Sequence, residues 1–285
     1  MAYYPQIYSN AMITQLPYET QSIFDTVTQD METGMRWSFS RTANNLDGYP
    51  AAPLTQFGVN YSNITDNEVA TIKAFFDSQR GMWGQFGFVD PGGNLLQYSE
   101  DFTQNYWNKS NGPVSIGSSS VTDPFGGALA MSLIGNGPNA YLTGVIGPPE
   151  GGFMDWVLNA SVWVKSPDVG GELRVGFIDS TFSEYRAKNW SLPQNRWIRI
   201  SHTAKIWTPG EIRIVIGGFA AWTSARTINM FGAQVTPMKG EGAYVKSPGR
   251  YGFRSHCRFG TDVLSVKMLG PNSNALNLPI QEVYA

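Results

Sequence analysis

Polar and apolar positions alternate with period two in several short stretches of this chain, and follow helical spacing in one. Period two marks a half-buried strand and a 3.6-residue period marks a helix. In 35–41, Met35, Trp37 and Phe39 fall on one side and Arg36, Ser38 and Ser40 on the other. Over 66–79, Val69, Ile72, Phe75 and Phe76 share one helical face. Thr65 and Glu68 form a capping-box pattern at the start, and Gly81 supplies a stop. Met82 to Val89 reads as a glycine-broken aromatic strand closing on the turn Asp90-Pro91-Gly92-Gly93. Residues 44–48 and 50–53 read as loop.

From 94 onward glycine turns recur at 126–127, 135–138, 147–152 and 170–171. Between and beyond them lie strand candidates at 127–134, 155–165, 172–179, 196–206, 211–218 and 226–235. Ile212, Ile214 and Ile216 give one of these a clean apolar face. Regular strands with turn punctuation predict a two-sheet β-sandwich. The tract Ser115–Thr122 reads as small and polar. Residues 263–269 and 275–283 flank Gly270-Pro271-Asn272-Ser273-Asn274 and predict a β-hairpin. The expected fold is mainly β: a discontinuous β-rich domain with one helix, formed by 1–93 and 247–285, and a β-sandwich inserted at 94–246.

Composition agrees with short strands. Charged residues are 15%, and there are 31 Gly and 17 Pro in 285 residues. Residues 1–93 hold 4 basic against 9 acidic residues, 94–245 hold 11 against 11, and 246–285 hold 5 against 2. The acidic first part and the basic last part complement each other. The net charge of −2 gives no footprint for sequence-specific nucleic-acid binding. No apolar run approaches the ~18 residues of a membrane span, and the first residues lack a signal-peptide pattern. One cysteine, Cys257, excludes an internal disulfide.

Chemistry-bearing constellations are sparse. The two histidines, His202 and His256, read as structural, and the His256-Cys257 neighbours point to opposite faces of a strand. One cysteine and two distant histidines make no zinc pattern. Asp168, Asp179 and Glu184 are too scattered for a calcium loop. Asp179 and Glu184 leave a glycosidase carboxylate pair open. No catalytic residue, metal or cofactor is expected, and the chain reads as no enzyme. Aromatics are the remaining signal: seven of nine Trp lie between 107 and 222. Trp163 and Trp197 sit in apolar strands and are expected in the core. Trp190, Trp207 and Trp222 sit beside turns, with Tyr185 in a nearby loop, and are the expected carbohydrate-binding residues.

Two stretches carry a resemblance. Gly34-Met35-Arg36, Ile72 through Phe75-Phe76 to Arg80-Gly81, and Phe86-Gly87-Phe88-Val89-Asp90-Pro91 resemble the distal tail proteins of long-tailed bacteriophages and gene transfer agents. Cys257-Arg258-Phe259-Gly260-Thr261-Asp262-Val263-Leu264 and Pro279-Ile280-Gln281-Glu282-Val283 resemble that family's C-terminal part. The family usually joins the two parts by a much shorter link. Asn94-Leu95-Leu96 to Trp107-Asn108-Lys109, Ser161-Val162-Trp163-Val164-Lys165, Met230-Phe231-Gly232-Ala233-Gln234-Val235 and Ala243-Tyr244-Val245 resemble carbohydrate-binding-module-like jelly rolls of phage tail proteins. The resemblance implies a virion protein at the tail tip, assembled in the bacterial host cytoplasm. It would form a homo-oligomeric ring, usually of six copies, joining the tail tube protein to baseplate hub and fibre proteins. The inserted module would face outward, toward a host cell-surface glycan or neighbouring fibres. An adhesion protein whose main task is binding host polysaccharide, and a tail-associated polysaccharide-degrading enzyme, are the alternatives.

Overall fold

The computed structural model describes residues 6–9, 12–15, 35–36, 54–89, 93–109, 114–135, 140–146, 153, 156–168, 171–179, 187–207, 209–218, 225–237, 239–247 and 252–283. The chain divides into two units, Met1–Gly92 with Arg254–Ala285, and Gly93–Phe253. Elements are numbered along the chain. The structure is mainly β, with one helix among the described residues.

The first unit holds β1 (Gln6–Ser9), β2 (Met12–Gln15), β3 (Met35–Arg36), β4 (Leu54–Ile64), α1 (Asp66–Ser78) and β5 (Phe86–Val89). From the other end of the chain come β16 (Phe253–Phe259), β17 (Val266–Gly270) and β18 (Ser273–Glu282). They form one sheet in the order β2-β1-β5-β16-β18-β4-β3, with β17 paired to β18 off this path. The capping box of α1 is present: the Glu68 amide donates to Thr65 Oγ1 at 3.3 Å and the Thr65 amide donates to Glu68 Oε2 at 2.6 Å. Ile72, Phe75 and Phe76 are buried against the sheet with Phe57, Val59, Phe86, Phe259 and Leu278. Phe86 and Phe259 have ring centroids 4.8 Å apart, and Phe76 and Phe259 4.9 Å. Cys257 is buried in this core, while His256 on the opposite face lies 3.4 Å from Gln85 Oε1. Of the 82–89 stretch only Phe86–Val89 is strand; residues 81–83 form a turn. The 35–41 strand is described only at Met35–Arg36, and Trp37 and Phe39 lie outside the described residues.

The second unit is a sandwich of two five-stranded antiparallel sheets. One has the order β12 (Lys188–Leu192), β11 (Gly171–Asp179), β14 (Ile212–Gly218), β9 (Ala140–Ile146), β6 (Trp107–Asn108). The other has the order β13 (Ile198–Lys205), β10 (Val157–Lys165), β15 (Arg226–Thr236), β8 (Ala130–Gly135), β7 (Val114–Val121). Ile212, Ile214 and Ile216 face the interior with Val175, Phe177 and Leu142, and the opposing sheet turns Leu158, Val162, Ile200 and Val235 inward, all buried. Trp107 pairs with Gly144, where any Cβ would lie 2.8 Å from the Trp107 ring, so the glycine makes room for the indole. The tract 114–121 is a strand after all: it pairs with β8 at the sheet edge, where packing demands little and small residues suffice.

Candidate ligand-binding face

The site is built by the parity of β10. Leu158, Ala160, Val162 and Val164 are fully buried in the interior, so Asn159, Ser161, Trp163 and Lys165 point outward. Register sets their neighbours: Trp163 lies between Arg199 on β13 and Phe231 on β15, and Ser161 between Ser201 and Gln234. Lys165 lies beside Asn229, which in turn lies beside Ser132 on β8. Ser132 Oγ donates to Asn229 Oδ1 at 2.8 Å. An aromatic row thus borders a polar row on one outer face.

A loop brings a further ring to this face. Asp123 is buried, and its carboxylate accepts the amides of Phe125 at 2.8 Å and Gly127 at 3.1 Å. Phe125 is thereby held edge-on to Trp163 (5.7 Å, 75°) and Phe231 (5.8 Å, 69°) while 66% exposed. Trp197, half-buried, donates its indole N–H to Thr122 O at 3.1 Å, and Lys165 Nζ lies 5.3 Å from its ring centroid. The indole nitrogen of Trp163 is shielded without a hydrogen-bond partner among the described residues. Trp163 and Trp197 are therefore not core residues as the sequence suggested. Val162 and Val164, the chain neighbours of Trp163, point inward while its own ring points outward; Trp197 precedes β13, between exposed Arg196 and half-buried Ile198.

The far part of the same face is closed by the chain as it leaves the module. Arg199 donates to Gly242 O at 2.7 Å, to Ser161 Oγ at 3.0 Å and to Gln234 Oε1 at 2.9 Å. Burial lowers the Arg199 pKa, and the opposing pull of Glu241 and Tyr244 only partly offsets it. Tyr244 lies over the bulge between Ser161 and Trp163, where Gly232 has φ +62° and a Cβ would meet the ring at 3.0 Å. Its hydroxyl is 2.9 Å from Ser99 Oγ and donates to Glu100 at 3.1 Å; burial pushes its pKa up. Asn94 donates to Ala233 O and Val245 O, and accepts from the amides of Leu96 and Val235. The residues that carry the module resemblance at its two ends are thus structural fasteners.

Of the four residues expected to bind carbohydrate, Trp190 and Trp207 are described, and they lie apart. Trp190 is in β12, not a loop. Its pairing with Leu173 turns it to the interior side of the sheet, half-buried under Lys188 Nζ at 3.8 Å. Trp207 follows β13, 53% exposed, with Lys205 Nζ 4.4 Å from its ring. The eight residues of β13, at about 3.3 Å each, put these two rings near opposite ends of the module. Tyr185 and Trp222 lie outside the described residues, as does Glu184. Phe125 carries little signal in the sequence beyond Asp123-Pro124 opening a glycine turn. Among the described residues no three His, Cys, Asp or Glu side chains are grouped to hold a metal, and no helix is long and apolar enough to cross a membrane.

Exposed ring faces beside hydroxyl and amide groups suit a ligand that is flat and apolar on one side and polar at its rim. No protein-family model matches the chain, and no curated protein matches it. Solved structures similar to it include the enzymatically active domain of tailspike protein 4 from Bacteriophage CBA120 (14% identity, TM-score 0.37), covering 50% of this chain and 21% of that one. Another is the CBM22-1 xylan-binding domain of Paenibacillus barcinonensis Xyn10C (13% identity, TM-score 0.38), covering 53% and 99%. TmCBM61 in complex with β-1,4-galactotriose (16% identity, TM-score 0.34) covers 50% and 98%. This chain therefore spans about a fifth of the tailspike structure.

Proposed function

We propose that this protein is a structural component of a phage tail tip whose sandwich module contacts a host-surface glycan. It acts by binding and not by turnover. The observation that carries the glycan reading is the outer face of β10, where Trp163, Phe125 and Trp197 border Lys165, Asn229 and Ser132. Pyranose rings present C–H faces that stack on such aromatics, and their hydroxyls take the polar row. The tail-tip reading is supported by the residues that resemble distal tail proteins. Phe75 and Phe76 from the helix, Phe86 from the strand after it and Phe259 from the C-terminal part meet in one core. A ring-forming scaffold joining tail tube to baseplate hub accounts for a core shared by distant chain segments.

The test is binding of the full chain to a panel of bacterial envelope polysaccharides. Trp163→Ala is expected to lose about 30-fold in affinity, corresponding to ~2 kcal/mol for a binding hot spot. Undiminished affinity in that variant contradicts the assigned face. Release of new reducing ends from a bound polysaccharide would favour the enzyme alternative instead.

A further inference from the structure

The outward positions of the sheet that carries Trp163 hold one sign of charge. Along β13, β10, β15, β8 and β7, the charged residues at outward register positions are Lys165, Arg199 and Lys205, with no Asp or Glu among them. Two of these cations are engaged elsewhere. Arg199 donates to Gly242 O, Ser161 Oγ and Gln234 Oε1, and feels the charge of Glu241. Lys205 sits at the other end of β10, opposite Val157, over the Trp207 ring. Lys165 is the cation beside the exposed rings, and its ammonium lies against Trp197. Among the described residues it forms no ion pair. The acidic residue of the Phe125 loop cannot serve it: Asp123 is buried, and its carboxylate is filled by the amides of Phe125, Gly127 and Leu129.

The cross-strand partner of Lys165 is a second donor. Asn229 faces it on β15, where directly opposed Cβ atoms lie about 5 Å apart. Asn229 is only 8% exposed, and Ser132 Oγ donates to its Oδ1 at 2.8 Å. That bond orients the amide and leaves Nδ2 as the group with hydrogens to give. An ammonium and an amide N–H₂ only donate, whereas a sugar hydroxyl both donates and accepts. A carboxylate only accepts, and it brings the negative charge that Lys165 lacks. Trp163 is two residues from Lys165, about 7 Å along the strand, within the reach of the lysine stem.

We infer that this face selects sugars that bear a carboxylate. A uronic-acid-type ring stacks on Trp163 and Phe125, and Lys165 Nζ and Asn229 Nδ2 donate to its two carboxylate oxygens. The inference rests on the glycan reading above and names the class of glycan.

The experiment measures the affinity of the full chain for bacterial envelope polysaccharides with neutral, uronate-bearing and phosphate-bearing members. Each uronate polymer is also offered in carboxyl-reduced form. The bound members are expected to carry uronate, and reduction is expected to weaken binding about tenfold. Lys165→Gln should lose about the same factor on the intact polymer and nothing further on the reduced one. Lys165→Arg should keep most of the affinity. Asn229→Asp, which keeps the shape and adds a like charge, should weaken the intact polymer more than the reduced one. An unchanged melting temperature is the folding control for each variant. Equal affinity for intact and reduced polymers overturns the carboxylate assignment and leaves the glycan reading standing, as does binding of neutral or phosphate-bearing members alone. Equal weakening of both forms by Lys165→Gln overturns the role of Lys165. No binding to any member overturns both the inference and the glycan reading.

Discussion

The two outer faces of the sandwich are put to opposite uses. On the β11–β14–β9 sheet, parity turns Ile178, Val215, Thr143 and Tyr141 outward, yet all four are buried, and three of them form their own apolar cluster. On the β10–β15 sheet the outward Trp163 is half-buried under an exposed Phe125. One outer face is closed by packing and the other keeps ring surface available. Alternation alone does not distinguish them, because Val215 and Trp163 each sit outward between buried aliphatic neighbours. Burial separates a face that stabilises the module from a face that can meet a ligand.

The largest test of this contrast is Ile178→Ala, which should destabilise the module by about 2–5 kcal/mol in denaturant titration, while the remaining folded protein keeps the polysaccharide affinity proposed for it. A loss below ~1 kcal/mol would mean that face is not packed. Arg199→Lys is expected to cost about 1–2 kcal/mol, because a single ammonium cannot reach Ser161, Gln234 and Gly242 together. Faster tryptic cleavage at Lys239 or Lys246 would report release of the segment that closes the far end of the ligand face. Gly232→Ala should cost about 1 kcal/mol through its left-handed backbone and the Tyr244 ring above it, read as a lowered melting temperature. The smallest effect concerns Asp101. Burial raises its pKa, but hydrogen bonds from Gln104 and Thr103 and the charge of Lys109 outweigh this and hold it below the usual carboxylate range. Its contribution is therefore present above about pH 4 and is lost as pH falls through the lower folded value. Asp101→Asn should flatten that acid limb; an unchanged limb would assign the acid sensitivity elsewhere.

The fold was legible wherever local chemistry and packing agreed. Thr65, Glu68 and the Ile72–Phe75–Phe76 face specified α1 to within a residue of its end, and Ile212, Ile214 and Ile216 specified β14 and its inward face. Other strands escaped notice for different reasons. β9, Ala140–Ile146, is buried on both faces and so shows no period, and β4, Leu54–Ile64, carries its apolar parity on Phe57, Val59 and Tyr61 between polar residues just after a proline-marked loop. The ligand face was harder. Proximity to turns singled out Trp190 and Trp207, but the structure turns one inward and sets the other at the module's opposite end. Trp163 shared parity with Ser161 and Lys165, the signal that it faces outward, and its valine neighbours concealed this.

Hydrogen exchange of the full chain with and without a bound polysaccharide tests the contrast most directly. Ligand protection is expected in peptides covering 122–134, 160–165 and 227–231, with 140–146, 171–179 and 211–218 unchanged. Protection confined to the second set would place the ligand on the closed face and contradict the assignment.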